Sequence, residues 1–255
     1  MKNVWIIFSK EMKSYFSSWV AYMLLILFAL VFGFMFWTAV EYFVTAGMEM
    51  QMSGQMYPMD INEQIVRPLL GNVSVLGLFF IPIITMRLFA EEKRSGTFEL
   101  LATSPVRDIE VILGKWFAAL GLYAAMLVCS GLDFLFLFHY GHPDWKPLLV
   151  GYLGLLLQAG GLLALGTFIS SLTRNQIIAG AATFAVCLML WIFAWVSGYN
   201  TAAWATVLAY LSVVTHNESF AKGVIESKDA VYFLTVIFLG LFFTARSLES
   251  LRWRS

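Results

Sequence analysis

Three groups of side chains have the types and spacing to do chemistry. His139, His142 and Asp144 fall within six residues, and two imidazoles with a carboxylate are ordinary zinc ligands. A loop that ends a helix at Gly141 and Pro143 accounts for the same residues without a metal. Met48, Met50, Met52, Met56 and Met59 crowd a second stretch, and thioethers are soft ligands suited to Cu(I). Four of them, Met48, Met52, Met56 and Met59, also share one helical face, where flexible apolar side chains pack against a partner or a membrane surface. The third group is Asp133, Gln158 and Thr183, polar residues inside apolar runs. An ionisable group there is costly and marks either function or a bond to a neighbouring helix or the interface. Gln158 and Thr183 either line a path or hydrogen-bond between helices.

Other chemistry is missing its motifs. No G-x-x-x-x-G-K-[ST] loop occurs; the nearest fragment, Gly114-Lys115-Trp116, lacks the upstream glycine and the metal-binding hydroxyl. Cys129 and Cys187 both fall in apolar runs and form neither a disulfide framework nor a zinc spacing. The chain is expected to need no cofactor of its own, to perform no covalent chemistry and to bind no nucleic acid.

The elements that must position these residues are membrane spans. Hydrophobic residues make up 60% of the 255-residue chain and charged residues 13%, about half the charged share of a soluble domain. A hydrocarbon core about 30 Å thick needs about 20 apolar residues in a helix, because backbone groups in lipid must bond within the segment. Six segments qualify: 19–40, 68–90, 115–138, 147–172, 177–196 and 230–248. The uncharged stretch 201–215 is too short to cross and reads as an interfacial or re-entrant hairpin. The fold class is therefore an all-α integral membrane protein, with residues 1–18 as an interfacial helix and 19–255 as one transmembrane domain.

Charge sets the orientation. With six spans, the side holding both ends carries twelve Lys and Arg; the other carries Arg67, Lys146, Lys222 and Lys228. Twelve against four places both ends, and the charged insert 91–116, in the cytoplasm. The first apolar run is too long for a cleavable signal core and is expected to stay as an anchor. Before it, Val4, Trp5, Ile7, Phe8, Met12, Tyr15 and Phe16 gather on one helical face, with Lys2, Lys10, Lys13, Ser9 and Ser17 opposite and Glu11 and Ile6 out of place. That pattern describes an amphipathic helix on the cytoplasmic leaflet. It either anchors the first span or also contacts a cytoplasmic partner.

The insert reads residue by residue. Glu91, Glu92, Lys93 and Arg94 continue the second span into water, Ser95-Gly96-Thr97 breaks it, and Ser95 or Thr97 is placed to cap a short helix over 98–103. Phe98 and Leu101 form its apolar ridge, and Ser104-Pro105 ends it. Such a helix fits a groove on a soluble partner; a solvated hairpin is the plainer reading.

The run MRLFAEEKRSGTFELLATSPVRDIEVILGKW resembles the hallmark segment of ABC-2 type permeases, the membrane subunits of ATP-binding-cassette exporters. The resemblance implies that Glu91, Arg94, Gly96, Thr97, Glu99, Leu100, Leu101 and Pro105 belong to a coupling segment docking on a separate ABC-type ATPase, to which the ridge residue Phe98 is added from the reading above. It also implies ATP and Mg on that partner, a second permease copy forming a homodimer or related heterodimer, surrounding membrane lipid, and an inner membrane of a prokaryote. Tyr210-Leu211-Ser212, His216, Phe220, Gly223-Val224-Ile225 and Asp229 to Phe233 resemble the subgroup associated with gliding motility and nitrous-oxide-reductase maturation, from which Val213 departs where that subgroup has proline.

The function expected is a permease forming the path of an exporter. A second reading is an ATPase-driven module that remodels a protein complex, with an accessory protein on the outer side. A third is a membrane-embedded metalloenzyme using His139, His142 and Asp144. Small residues, Gly154, Gly160, Gly161 and Gly166 in the fourth span and 179–182 in the fifth, mark expected faces of close helix packing.

Overall fold

A computed structural model describes residues 2–53, 60–97, 106–141, 143–198 and 203–252, which form helices and connecting turns, with no strand among the described residues. The helices are α1 (Lys2–Ser17), α2 (Trp19–Ser53), α3 (Arg67–Thr85, preceded by a π turn at Asn62–Val66), α4 (Ala90–Ser95), α5 (Asp108–Gly141), α6 (Trp145–Leu172), α7 (Gln176–Gly198), α8 (Ala203–Leu211), α9 (Val213–Ala221) and α10 (Ser227–Arg252). Six membrane-length helices, α2, α3 with α4, α5, α6, α7 and α10, coincide with the six apolar segments. Several run past the apolar stretch, as α2 does to Ser53. Once nucleated, a helix propagates through polar residues that lack breakers.

The helices differ sharply in how much protein surrounds them. The most apolar windows of α3 and α6 are 67% and 61% buried, those of α2 and α7 only 22% and 17%. α3 and α6 are thus the core and α2 and α7 the rim. Glycines bring α6 close to its neighbours. A Cβ at Gly154 would lie 2.4 Å from Phe220, one at Gly166 2.6 Å from Thr85, and one at Gly240 of α10 2.7 Å from Ala164 of α6. Small residues in membrane helices let backbones approach where no hydrophobic force drives association. Phenylalanines fill the wider gaps between α2, α3 and α5: Phe28 meets Phe80 edge-on at 5.6 Å and Phe32 meets Phe134 at 5.7 Å.

Of segment 201–215, residues 203–215 are described, and they hold no helix long enough to cross a membrane. Helices α8 and α9 have nine residues each, about 13.5 Å of rise, less than half a bilayer core. α9 is tucked in, with Val213, His216, Asn217 and Phe220 buried. Its far end stays beside the start of α6, where Gly223, at φ 79°, sits so close to Pro147 that a Cβ would approach to 2.8 Å. Arg67, at the start of α3, reaches Glu218 of α9 at 3.4 Å. At the opposite end the Ser171 hydroxyl donates to Ser247 near the end of α10 (3.0 Å). α1 and the end of α10 therefore lie on one side with α4.

Candidate functional site

Lys115 stands near the start of α5, within a helix that begins at Asp108, and its side chain is only 3% exposed. A buried ammonium must find partners. Lys115 Nζ meets Glu11 Oε1 of α1 at 3.0 Å and Glu92 Oε1 of α4 at 2.8 Å, with the Phe89 ring 5.5 Å below. Three elements far apart in sequence are joined by one cation. The approach that permits this is made at Gly114, where a Cβ would sit 2.7 Å from Ile7, and at Gly121, which faces Phe8 and Met12. The apolar face of α1 is laid on α5, although Trp5 and Ile6 stay exposed.

Both roots of the insert are held. On the near side, α3 stops at Thr85 and the chain turns through Met86–Phe89 before α4. The second span therefore does not run straight into water as its charged end suggests. Pro82 has removed one N–H from the last turns, and the turn aims Glu92 inward at Lys115. Ser170 of α6 accepts the backbone N–H groups of Phe89 and Ala90, both at 3.1 Å, so a neighbouring helix caps α4. Lys93 Nζ donates to the Ser171 carbonyl. Gly96, at φ 75°, ends α4 in the left-handed region that only glycine adopts freely. On the far side, Glu110 reaches back to the Arg107 N–H (3.2 Å) in a capping interaction and accepts from Asn3 Nδ2 of α1 (2.9 Å). Glu91, Arg94, Gly96 and Thr97 are exposed at the tip of this assembly. Phe98, Glu99, Leu100, Leu101 and Pro105, with the helix expected at 98–103, lie outside the described residues.

The sequence profile of the ABC-2 family transporter proteins matches residues 5–217, most of the chain, including Glu11, Glu92, Lys115 and Glu110. The chain belongs to the ABC-2 family. No curated protein matches it. It is accordingly a permease component of an ABC transporter, and the resemblance carried by the insert agrees with the profile.

Other candidate residues of this ABC-2 permease fall as follows. Among the described residues no three His, Cys, Asp or Glu side chains gather as metal ligands. His139 is exposed against Tyr140, Asp144 is exposed at the start of α6, and His142 lies outside the described residues. Met48 and Met52 are exposed near the end of α2, Met50 half-buried; Met56 and Met59 are outside the described residues. Gln158 is buried and spent on a helix contact: Ser74 Oγ donates to its Oε1 at 2.8 Å and its Nε2 donates to the Ser74 carbonyl at 3.2 Å. Thr183 is buried and donates to Ala179 of its own helix (2.8 Å). Asp133 is half-buried, one turn beyond Ser130, whose hydroxyl bonds Tyr152 across the helices at 2.8 Å.

The Glu11–Lys115–Glu92 cluster was the residue set that sequence reasoning missed. Its signal was Glu11, the acid on the wrong face of α1. An acid facing an apolar surface requires a buried cation, and Lys115 was the one basic residue opening an apolar run.

On the opposite side the block around His216 comes together as a unit. His216 Nδ1 meets Asp229 Oδ1 at 2.7 Å and Nε2 meets the Tyr210 carbonyl at 2.8 Å. The imidazole stacks on Tyr232 at 3.9 Å, and the Tyr232 hydroxyl donates to the Leu211 carbonyl (2.7 Å). The carbonyl only accepts, so Nε2 carries a proton there. These bonds pin the α8–α9 corner to the start of α10. Nearby, a hydrogen bond from Lys222, outweighing partial burial, holds Glu218 below the usual carboxylate range.

Proposed function

We propose that this chain is the membrane-path subunit of an ABC exporter and that the insert 91–105 docks on a separate ATPase. Membership of the ABC-2 family supports the reading, and the geometry at the roots of the insert carries it. α4 is capped by α6 and bonded to Lys115, while the far root is tied through Glu110 to α1. A segment gripped at both roots transmits a push as a rigid lever instead of absorbing it as a hinge. Force on the tip would reach α3 and α6, the two core helices, together. The chain contains no P-loop, so ATP and Mg belong to the partner. Two permease copies, each presenting one tip, would answer a pair of ATPase chains.

Phe98→Asp with Leu101→Asp tests this, because each would put a charge into the partner's groove. The pair should fail to retain the ATPase in detergent pull-down and lose transport in proteoliposomes, while a thermal unfolding curve stays unchanged. Retained ATPase and transport would reject the docking assignment. Coupled ATPase with no transported small molecule would leave docking intact and point to a remodelling machine.

A further inference from the structure

Beside the Lys115 cluster, between α1 and the end of α3, lies a cavity of about 150 Å³ that shares Glu11 with that cluster. That is roughly five times a water molecule's share of liquid volume. Its walls divide by chemistry. Val20, Ala21, Leu24, Ile83 and Ile84 line the side toward the membrane; Glu11, Tyr15, Arg87 and Glu91 line the side toward the insert. Two polar atoms there are buried with no hydrogen-bond partner, the Tyr15 hydroxyl and Arg87 Nε. Buried donors left unmade are expensive, so each points to a missing acceptor. Burial, and then the charges of Glu11 and Glu91, push the Tyr15 phenol upward, which keeps it protonated and able to donate.

We propose that this cavity binds the headgroup of a zwitterionic phospholipid bearing a primary ammonium. The phosphate takes the Arg87 and Tyr15 donors, the ammonium faces Glu91, and an acyl chain runs over Val20 and Ile83. Charge decides the class of lipid. Arg87 alone would suit any phosphate, but with Glu11 already paired to Lys115 the Glu91 carboxylate on the same wall is the charge that repels a purely anionic headgroup. A trimethylated ammonium offers no N–H to a carboxylate, so choline satisfies the acid less well. Position agrees: α1 is an interfacial helix, and the cavity opens where that helix meets the first turns of α2. The lipid would fill the joint between α1 and α3 and so stiffen the base of the lever.

The full chain in detergent, stripped of lipid, is titrated with short-chain phosphatidylethanolamine, phosphatidylcholine and phosphatidylglycerol, and separately with inorganic phosphate. Native mass spectrometry counts bound lipid and thermal unfolding reports stabilisation. One phosphatidylethanolamine per chain should bind, about tenfold more tightly than phosphatidylglycerol, the ratio set by one charged hydrogen bond. Arg87→Gln and Tyr15→Phe should each weaken it, and Glu91→Gln should erase the preference over phosphatidylglycerol while leaving binding itself. Tyr15→Phe removes only an oxygen and guards against misfolding of the arginine variant. Equal binding of phosphatidylglycerol to the unmodified chain overturns the proposal. So does stabilisation by inorganic phosphate alone, or undiminished binding in both the Tyr15 and Arg87 variants.

Discussion

At the residue scale, the decisive side chain is one whose removal leaves others stranded. Glu11 and Glu92 are 15% and 17% exposed and share one cation. Lys115→Met should therefore cost about 3–5 kcal/mol, the penalty of uncompensated buried charge and not the net worth of the ion pair. A fluorescence melt in detergent would show the loss. Adding Glu11→Gln and Glu92→Gln should recover much of it, because neutral amides tolerate the site. A single Lys115→Met variant as stable as the parent would mean the carboxylates are solvated and the cluster is not closed. The same residues show why the site was only half legible. Exposed tip residues such as Glu91 and Arg94 advertise themselves as charges in an apolar chain, whereas Glu11 finds its partner 104 positions away, a distance no local pattern encodes.

At the element scale, spans are readable because length and apolarity alone decide them, and the six helices fall where the composition puts them. Breaks are harder. The turn at Met86 depends on Pro82 and on the cap that Ser170 supplies from another helix, and a cap donated across space leaves no trace beside the residue it serves. The α8–α9 hairpin shows the same division. Its length excludes a crossing, but its tucked position depends on His216 and Asp229. Asp229 is 1% exposed and its second oxygen has no partner. His216→Ala would strand that carboxylate and should cost about 2–4 kcal/mol locally. Hydrogen–deuterium exchange should then rise across Ala203–Leu211 and Val213–Ala221 while α3 and α6 keep their protection. Adding Asp229→Asn should restore part of the protection. If exchange in the hairpin is unaltered by His216→Ala, glycine packing against α6 holds it and the His–Asp pair does not.

At the scale of the whole molecule, two expectations follow from where the helix ends and faces lie. On the twelve-to-four bias of basic residues, α4 and the described ends of α1 and α10 are expected in the cytoplasm. A cysteine at Ser227 should label with an impermeant thiol reagent in intact cells, and cysteines at Ser95 and Ser250 only after permeabilisation. Labelling at Ser250 in intact cells would break the six-span arrangement. The second expectation concerns α7, whose apolar window is only 17% buried. The small-residue run in this span does not present one uniform surface. Ala179 is buried and Gly180 packs on Met86 of its own chain, with a Cβ position 3.4 Å away. Exposure instead follows a stripe through Ile178, Ala181, Ala185, Met189, Ile192 and Trp195, while Ala179, Thr183 and Cys187 face inward. Steps of three and four residues keep a stripe on one side of a helix, and Ala181 with Ala185 forms the small-xxx-small spacing that lets two membrane helices touch. A second copy meeting this face about a twofold axis would bring each stripe residue to its own counterpart. Single cysteines at Ala181 and Ala185 should then cross-link between chains in native membranes, and those at Ala179 and Thr183 should not. Cross-linking confined to the inward set, or absent along the whole stripe, would leave the exposed face of α7 to lipid and move the contact between copies to α2, the other sparsely covered helix.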